Sequence, residues 1–253
     1  MRVLFVSDEV APFTNKSEVA TLVRTLPESL HENAGVETRI MMPRYGIVSE
    51  RRNRLHEVIR LSGSEISTGD GTEALKVKVA SIPGIRLQVY FMDNVHMFKR
   101  RGIFADKAGK LFPDNPERAI FYAKAVLQTI SNLGWQPDVV HAFGWLSGMV
   151  PFLLKTDYAD HKLFADAKVV YTPQKVEFEG PLDEKLIADY ELTRGEDLKG
   201  KEPSEIGGTF ADAVIHLGSH DSEEGVDAFG EDAEANMNLA SAVYERVQSG
   251  VPA

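Results

Sequence analysis

The first forty residues alternate between short apolar runs and a helical pattern. Residues 2–7 (RVLFVS) form a short run rich in β-branched and aromatic side chains, which is typical of a buried strand. Apolar residues then recur at helical spacing, at Val19, Leu22, Val23, Leu26 and Leu30, before ENAG ends the helix. Residues 36–43 (VETRIMMP) regain strand character. The pattern predicts a βαβ unit, whose parallel strands need a right-handed crossover.

The same alternation continues along the rest of the chain. It predicts strands at 74–81 and 85–92 joined as a hairpin at one edge of the sheet, a helix at 115–134, strands at 137–143 and 167–173 with a helix between them, a strand at 211–218 and a last helix at 230–250. This order predicts an α/β protein with a doubly wound, Rossmann-like parallel sheet. We expect a single domain over residues 1–253, with the apolar face of the last helix buried under this domain or against a second copy.

Composition narrows the classes of partner and compartment. The formal net charge is -10, and the basic residues are dispersed apart from ERRNR (50–54) and FKRR (98–101), so no nucleic-acid partner is expected. The absence of cysteine excludes disulfides, thiolate catalysis and cysteine metal sites. The opening apolar run is too short for a signal peptide, and no apolar stretch approaches the length of a membrane span. These features predict a cytoplasmic protein with no membrane partner.

Six blocks of sequence, in order from residue 3 to about residue 180, resemble the bacterial glycogen synthases and plant starch synthases. The blocks are VLFVSDEVAPF, MMPRYG, YFMDNVHMFKRRGIF, DNPERAIFYAKAVLQ, QPDVVHAFGW and KVVYTPQKVEFEG. The resemblance implies the N-terminal half of a two-domain GT-B glycosyltransferase fold. It also implies a hexosyltransferase that moves glucose from ADP-glucose to a glucan. The C-terminal Rossmann domain, which in that family holds most of the sugar nucleotide, has no counterpart in this sequence.

The resemblance breaks first at the turn after the opening strand. In the family this turn reads Lys-x-Gly-Gly-Leu, in which lysine faces the donor phosphates and the glycines let backbone N–H groups approach them. Here those positions hold Asn15, Lys16, Ser17, Glu18 and Val19. We interpret Asn15 as a helix N-cap, with Glu18 completing a near capping box. The carboxylate of Glu18 would then occupy the region that a phosphate needs.

Two further family patterns are altered at the positions that bear chemistry. His-x-His-Asp-Trp becomes His141, Ala142, Phe143, Gly144 and Trp145. His141 either meets a ligand in the crevice or is a hydrogen-bonded core histidine. The stretch Ile-His-Asn, whose histidine lies beside the transferred glucosyl unit in the family, becomes Pro173, Gln174 and Lys175. A glutamine hydrogen-bonds a sugar hydroxyl but carries no proton at neutral pH, so no catalytic residue of the family pattern is intact.

Two other motifs resemble a metal site and a phosphate loop, but their sequence context favours neither. His216, His220, Asp221 and Glu223 lie close in sequence, but they follow a predicted strand, where histidines four residues apart do not converge on a metal. Gly207 and Gly208 precede a strand instead of following one, so we interpret them as a turn and not as a phosphate loop. No cofactor is expected.

Three hypotheses about function remain open at the level of sequence. The first is a synthase-like pseudoenzyme, inactive alone, that binds or regulates a full-length synthase or a second copy of itself in glucan metabolism. The second is a glucosyltransferase subunit that takes its donor domain from another chain. The third is a carbohydrate-binding module that stacks Phe143, Trp145 and Phe178 on the sugar rings of a glucan.

Overall fold

The chain folds into a large sheet flanked by helices, in a computed structural model that describes residues 1–69, 71–218 and 225–250. The strands are β1 (Arg2–Ser7), β2 (Glu37–Pro43), β3 (His56–Glu57), β4 (Ser64–Thr68), β5 (Gly71–Ser81), β6 (Gln88–Asp93), β7 (Val139–Phe143), β8 (Lys168–Thr172), β9 (Ala213–Val214), β10 (His216–Leu217) and β11 (Ala228–Phe229). The helices are α1 (Glu18–Ala34), α2 (Glu50–Asn53), α3 (Val95–Phe98), α4 (Asn115–Leu133), α5 (Met149–Lys155), α6 (Glu184–Asp189), α7 (Pro203–Phe210) and α8 (Ala233–Ser249). Short 3-10 turns cover Ile59–Leu61, Leu146–Gly148 and Gly195–Asp197.

The sheet confirms the predicted doubly wound architecture. Within the described residues, nine strands join in the order β3-β5-β6-β2-β1-β7-β8-β9, with β4 also paired to β5. All pairings from β6 to β9 are parallel, as predicted for β1, β2, β7 and β8. The strand predicted at 211–218 is divided: β9 joins this sheet, whereas β10 pairs with β11 in a separate two-stranded sheet. The chain moves from β1 to β2 on one side and later crosses to β7 on the other. The boundary between β1 and β7 is therefore the topological switch point, and ligands of such sheets bind outside the carboxyl ends of the strands there.

The predicted hairpin forms, but it is not the edge of the sheet. β5 pairs antiparallel with β6, and β3 and β4 both pair with the other side of β5. β3 has only two residues and β4 is mostly polar, so neither has an apolar pattern that sequence reasoning would recognise as a strand. These short strands cover the long edge that β5 would otherwise leave unpaired.

The 3-10 turn Leu146–Gly148 and helix α7 pack closely against each other beside β8. Gly207 and Gly208 lie inside α7, so the prediction of a turn at this pair is wrong. A Cβ atom on Gly207 would lie 2.8 Å from the ring of Tyr171, and one on Gly148 would lie 2.1 Å from the carbonyl oxygen of Pro203. Glycine is needed at both positions because the backbones touch, and this close packing stabilises a helix at α7 despite the low helix propensity of the glycine pair.

The last helix is confirmed at residues 233–249, and its apolar face is buried within this chain. α8 packs against α1 and β8, and Ala240, Val243, Tyr244 and Val247 are buried. Asp232 caps its first turn by accepting a hydrogen bond from the Ala235 amide. The helix therefore covers part of the sheet next to β7 and β8 and stands directly behind the candidate site.

Candidate functional site

Three segments meet outside the carboxyl ends of the central strands. They are residues 8–17 after β1, residues 144–147 after β7 and residues 173–180 after β8. The Asp8 amide donates to the carbonyl of Phe143 at 3.1 Å, and the Gly144 amide donates to the carbonyl of Thr172 at 3.0 Å. These bonds continue the strand pairing and fix the three segments side by side at the switch point.

The turn that follows β1 is held by the carboxylate of one of its own residues, Glu9. The Glu9 carboxylate accepts a hydrogen bond from the Lys16 amide at 3.0 Å, and the hydroxyl of Ser7 donates to the carbonyl of Glu9 at 2.6 Å. Glu9 is buried, whereas Asn15 and Lys16 are exposed. These two hydrogen bonds fix the backbone of the turn.

The prediction that Asn15 caps α1 is wrong. The helix begins at Glu18, and the N-cap is Ser17, whose side chain makes no capping hydrogen bond. The Ser17 hydroxyl is buried and lacks a hydrogen-bond partner within the described part of the chain. Asn15 lies outside the helix because Glu9 holds the amide of the next residue, Lys16, and bends the chain before the helix starts. Glu18 occupies the first helical position, where an acidic side chain interacts favourably with the helix dipole.

Among the acidic side chains at the site, Asp8 has the pKa that is shifted furthest from its ordinary value. Its carboxylate accepts hydrogen bonds from the Leu146 amide at 2.8 Å, the Ser147 amide at 2.9 Å and the Ser147 hydroxyl at 2.7 Å. Burial raises the pKa of Asp8 from its ordinary 3.8 to about 7, although these hydrogen bonds favour the charged form and act in the opposite direction. A fully buried carboxyl that titrates near neutrality thus joins the ends of β1 and β7.

Asp8 fills the space in which a side chain at position 144 would lie. Gly144 has a φ of 95°, and a Cβ atom there would lie 2.5 Å from the Cγ atom of Asp8. Position 144 is the one at which the family pattern His-x-His-Asp-Trp has its aspartate. In this chain the carboxylate beside the 144–147 turn comes from the neighbouring strand.

Of the two alternatives for His141, a histidine that meets a ligand and a hydrogen-bonded core histidine, the structure shows the second. It is completely buried, with Nδ1 2.7 Å from the Tyr244 hydroxyl of α8 and Nε2 2.9 Å from the Thr172 hydroxyl of β8. Burial holds the pKa of His141 well below its ordinary value, so the ring is neutral. Both ring nitrogens are satisfied, and the side chain links α8 to the sheet instead of facing the crevice.

Trp145 anchors the opposite wall of the crevice. The ring is completely buried and packs against Phe104 and Phe178 with centroid distances of 5.8 and 5.2 Å. Its Nε1 donates to the carboxylate of Glu202 at 3.0 Å, and the same carboxylate accepts the Gly180 amide at 2.6 Å. Neither Trp145 nor the equally buried Phe143 offers a ring face to a sugar, whereas Phe178 is half-buried.

Gln174 follows β8 at the carboxyl edge of the sheet. The residue is half-buried, and its Oε1 atom is buried without a hydrogen-bond partner among the described residues. An amide of this kind is able to accept a hydrogen bond from a hydroxyl group of a ligand. It sits two residues beyond Thr172, the partner of His141, so it lies nearer to the crevice than the histidine does.

Sequence comparison decides the family. The profile of the starch synthase catalytic domain matches residues 2–231. The chain belongs to the starch synthase catalytic domain family. This starch synthase-like chain is 44% identical over 187 residues to a glycogen synthase of Chlorobium limicola, a match that covers 74% of the chain and 38% of that relative. It is 40% identical over 205 residues to a glycogen synthase of Chlorobaculum tepidum, covering 79% of the chain and 42% of that relative.

A solved structure supports the fold of this starch synthase-like chain. The catalytic domain of starch synthase IV from Arabidopsis thaliana, bound to ADP and acarbose, superposes with a TM-score of 0.67 at 20% identity. The match covers 84% of the present chain and 44% of the plant chain. The predicted resemblance and the fold, the N-terminal half of a GT-B glycosyltransferase, are both confirmed. The chain spans less than half the length of the relatives named above.

Several residues that organise the starch synthase-like site were missed by sequence reasoning. Asp8 and Glu9 hold the backbone of the crevice, Ser147 binds Asp8, and Glu202 binds Trp145. The acidic pair directly after β1 was the one available signal, because the carboxyl ends of parallel strands are where ligand-facing groups collect. The position of Glu202 gave no signal, since its partner is 57 residues away.

A cavity of the starch synthase-like chain lies where α1 and α8 meet and reaches Glu18 at the start of α1. It has a volume of about 730 Å³, with Leu22, Leu217 and Phe229 among its apolar lining and Thr25 and Asn236 among its polar lining. Its wall includes Gly218, after which the chain leaves the described residues. Three members of the rejected metal cluster, at positions 220, 221 and 223, also fall outside the described residues.

The described residues contain no group of three or more histidine, aspartate or glutamate side chains placed to hold a metal ion. No helix among them is both long and apolar enough to cross a membrane.

Proposed function

We propose that this starch synthase-like chain acts in glucan metabolism as a pseudoenzyme, inactive alone, that binds or regulates a full-length synthase or a second copy of itself. The observation that supports this proposal is the occupation of the switch point by the chain's own carboxylates. Glu9 accepts the Lys16 amide, and Asp8 accepts the amides of Leu146 and Ser147. These backbone N–H groups are of the kind that bind phosphates in α/β proteins.

The negative charge of Glu18, at the turn between β1 and α1, also opposes phosphate binding. A pyrophosphate placed at the start of α1 would lie near the carboxylate of Glu18. Two like unit charges about 5 Å apart repel by roughly 3 kcal/mol at an effective dielectric constant of about 20, which corresponds to about two decades of affinity. The side chains of Ser17 and Glu18 also occupy the positions at which the family has glycine. Both effects oppose nucleotide binding at this turn.

We therefore expect no saturable binding of ADP-glucose or UDP-glucose at millimolar concentration, and no transfer of glucose to glycogen. Isothermal titration calorimetry on the whole chain measures the binding, and a radiolabel assay measures the transfer of glucose. Glu18→Gln is expected to strengthen any residual binding, whereas the same charge change at the far end of α1, Glu32→Gln, is expected to have no effect. Micromolar binding that disappears in Lys16→Ala would contradict the proposal.

The second candidate is a glucosyltransferase subunit whose donor domain comes from another chain. Two observations favour it: membership of a glycosyltransferase family, and the exposed Lys16 one position from the family's lysine. Co-purification with a chain that binds an ADP-sugar, together with glucose incorporation into glycogen by the mixture, would support this candidate over the first. Retardation of the isolated chain in a glycogen-containing gel would show glucan binding and would separate a carbohydrate-binding role from purely protein-mediated regulation.

A further inference from the structure

A pocket lies at the edge of the sheet opposite to the crevice. It forms where β2 and β6 begin and β5 ends, and it has a volume of about 300 Å³. Its lining includes Arg39, Ser81, Arg86, Gln88 and Tyr90. Ser81 pairs with Gln88 across the hairpin of β5 and β6, and Tyr90 lies two residues further along β6, so these three side chains share one face of the sheet. The pocket is therefore separate from the residues that fill the switch point.

Arg39 has a fixed orientation in this pocket. Its Cζ atom lies 5.0 Å from the ring centroid of Trp135 and 5.9 Å from that of Tyr90, and its Nη1 donates to the Tyr90 hydroxyl at 2.9 Å. A guanidinium is attracted to aromatic rings and carries five N–H donors. Among the described residues, Tyr90 is the one acceptor for these donors, and the buried Nε of Arg39 has no hydrogen-bond partner. Arg39 thus has donor capacity that the protein does not use.

The pocket carries positive charge on a chain whose net charge is -10. In the described part of the chain, neither Arg39 nor Arg86 has a carboxylate within ion-pair distance. Glu37 lines the same pocket, but its two oxygens accept hydrogen bonds from Arg2 and Trp135. An anion that enters the pocket therefore meets two guanidinium groups and one carboxylate that is already paired.

Arg86 lines the pocket from the turn before β6. Its side chain is exposed, and it also borders a hollow that is lined by Glu28 and Glu32 of α1. Because these two carboxylates offset part of its charge, we expect Arg86 to contribute less to anion binding than Arg39 does.

We propose that this pocket binds the phosphate group of a small phosphorylated metabolite. Apart from Glu37, its polar side chains all offer N–H or O–H donors, from the two guanidinium groups, the amide of Gln88 and the hydroxyls of Ser81 and Tyr90. The Tyr90 hydroxyl accepts from Arg39, and its own proton has no acceptor among the described residues. Such a set fits a ligand with negative charge and several acceptor oxygens. Arginine suits phosphate because its planar fork donates two parallel hydrogen bonds.

The size of the pocket favours a phosphate ester over the free ion. A volume of about 300 Å³ is at the lower limit of small-molecule sites, and it is more than one phosphate group fills. The remaining space accommodates the organic part of an ester. This site is independent of whether the crevice binds a nucleotide, and its test uses no nucleotide.

Isothermal titration calorimetry on the whole chain at constant ionic strength tests the site with glycerol phosphate and with inorganic phosphate. Both are expected to bind saturably, the ester more tightly, whereas acetate at the same ionic strength should bind more weakly than either. Arg39→Gln should weaken the binding of glycerol phosphate by about tenfold or more, and Arg86→Gln by about threefold. Arg60→Gln removes the same charge from an exposed position outside the pocket and should leave the affinity unchanged.

Four results would overturn the site. They are binding that does not approach saturation at about 10 mM, acetate that binds as tightly as phosphate, an unchanged affinity in Arg86→Gln, and a loss in Arg60→Gln as large as that in Arg39→Gln. Equal or tighter binding of inorganic phosphate would overturn the ester as the ligand. Because Arg86 is exposed, Arg86→Gln keeps the test decisive even if loss of Arg39 disturbs the packing of Trp135 and Tyr90.

Discussion

Replacement of Trp145 by alanine is expected to lower the free energy of unfolding by about 3–5 kcal/mol, the usual range for removing a large buried aromatic side chain. Trp145 is the largest of the completely buried side chains, and it joins Phe104, Phe178 and the carboxylate of Glu202. Its loss leaves a cavity and removes one of the bonds that position the 176–180 loop. Urea unfolding followed by circular dichroism measures the change.

Trp145→Phe is the matched control, because it keeps most of the packing and removes only the indole N–H that binds Glu202. We expect a loss clearly smaller than that of Trp145→Ala. A loss below about 1 kcal/mol in Trp145→Ala would mean that the site collapses around the missing ring, and the ring would then not be the anchor of this wall.

The second large effect is expected for Gly144→Ala, which should lower the free energy of unfolding by about 3 kcal/mol or more. A φ of 95° is strained for any residue with a Cβ atom, at a cost of about 1–2 kcal/mol. The new Cβ would also lie 2.5 Å from Cγ of Asp8, and overpacking of this kind costs about 1–3 kcal/mol. Thermal and urea unfolding at pH 6 measure the sum.

Gly84 supplies the matched control for the strain alone. It has a φ of 86°, and nothing lies within 4 Å of the position of its Cβ. Gly84→Ala is therefore expected to cost only about 1–2 kcal/mol. Adding Asp8→Ser to Gly144→Ala should relieve the overlap, so the double variant should lose less stability than the two single variants together. Strict additivity would show that Asp8 and position 144 do not compete for space.

Errors at the level of sequence had a common physical origin. Asn15 looked like a cap because local spacing favours one, yet the Glu9 carboxylate holds the next amide and moves the start of α1 to Glu18. The pair Gly207 and Gly208 looked like a turn, yet contact with Tyr171 and Gly148 places it in a helix. In both cases a contact with a residue outside the local pattern outweighed a local preference, for a helix cap or against a helix, of about 1 kcal/mol.

The sequence by itself determined the order of the main strands and helices, the parallel sheet and the family, but not the short strands β3 and β4. Periodicity, turn residues and block order are local properties that are readable along the chain. It also located the altered positions, among them Glu18, Gly144 and Gln174. What it left open at His141 was decided by α8, since the hydroxyl of Tyr244, 103 residues away, satisfies one nitrogen of the ring.

Only the tertiary structure decided how the switch point is filled. Asp8 reaches Leu146 and Ser147 across 138 and 139 residues of sequence, and no spacing rule connects them. The same is true of its pKa, which is set by complete burial among elements that come from β1, β2, α4 and β8. A side chain's charge state follows from the surrounding dielectric and its hydrogen-bond donors, and these exist only once distant segments have packed together.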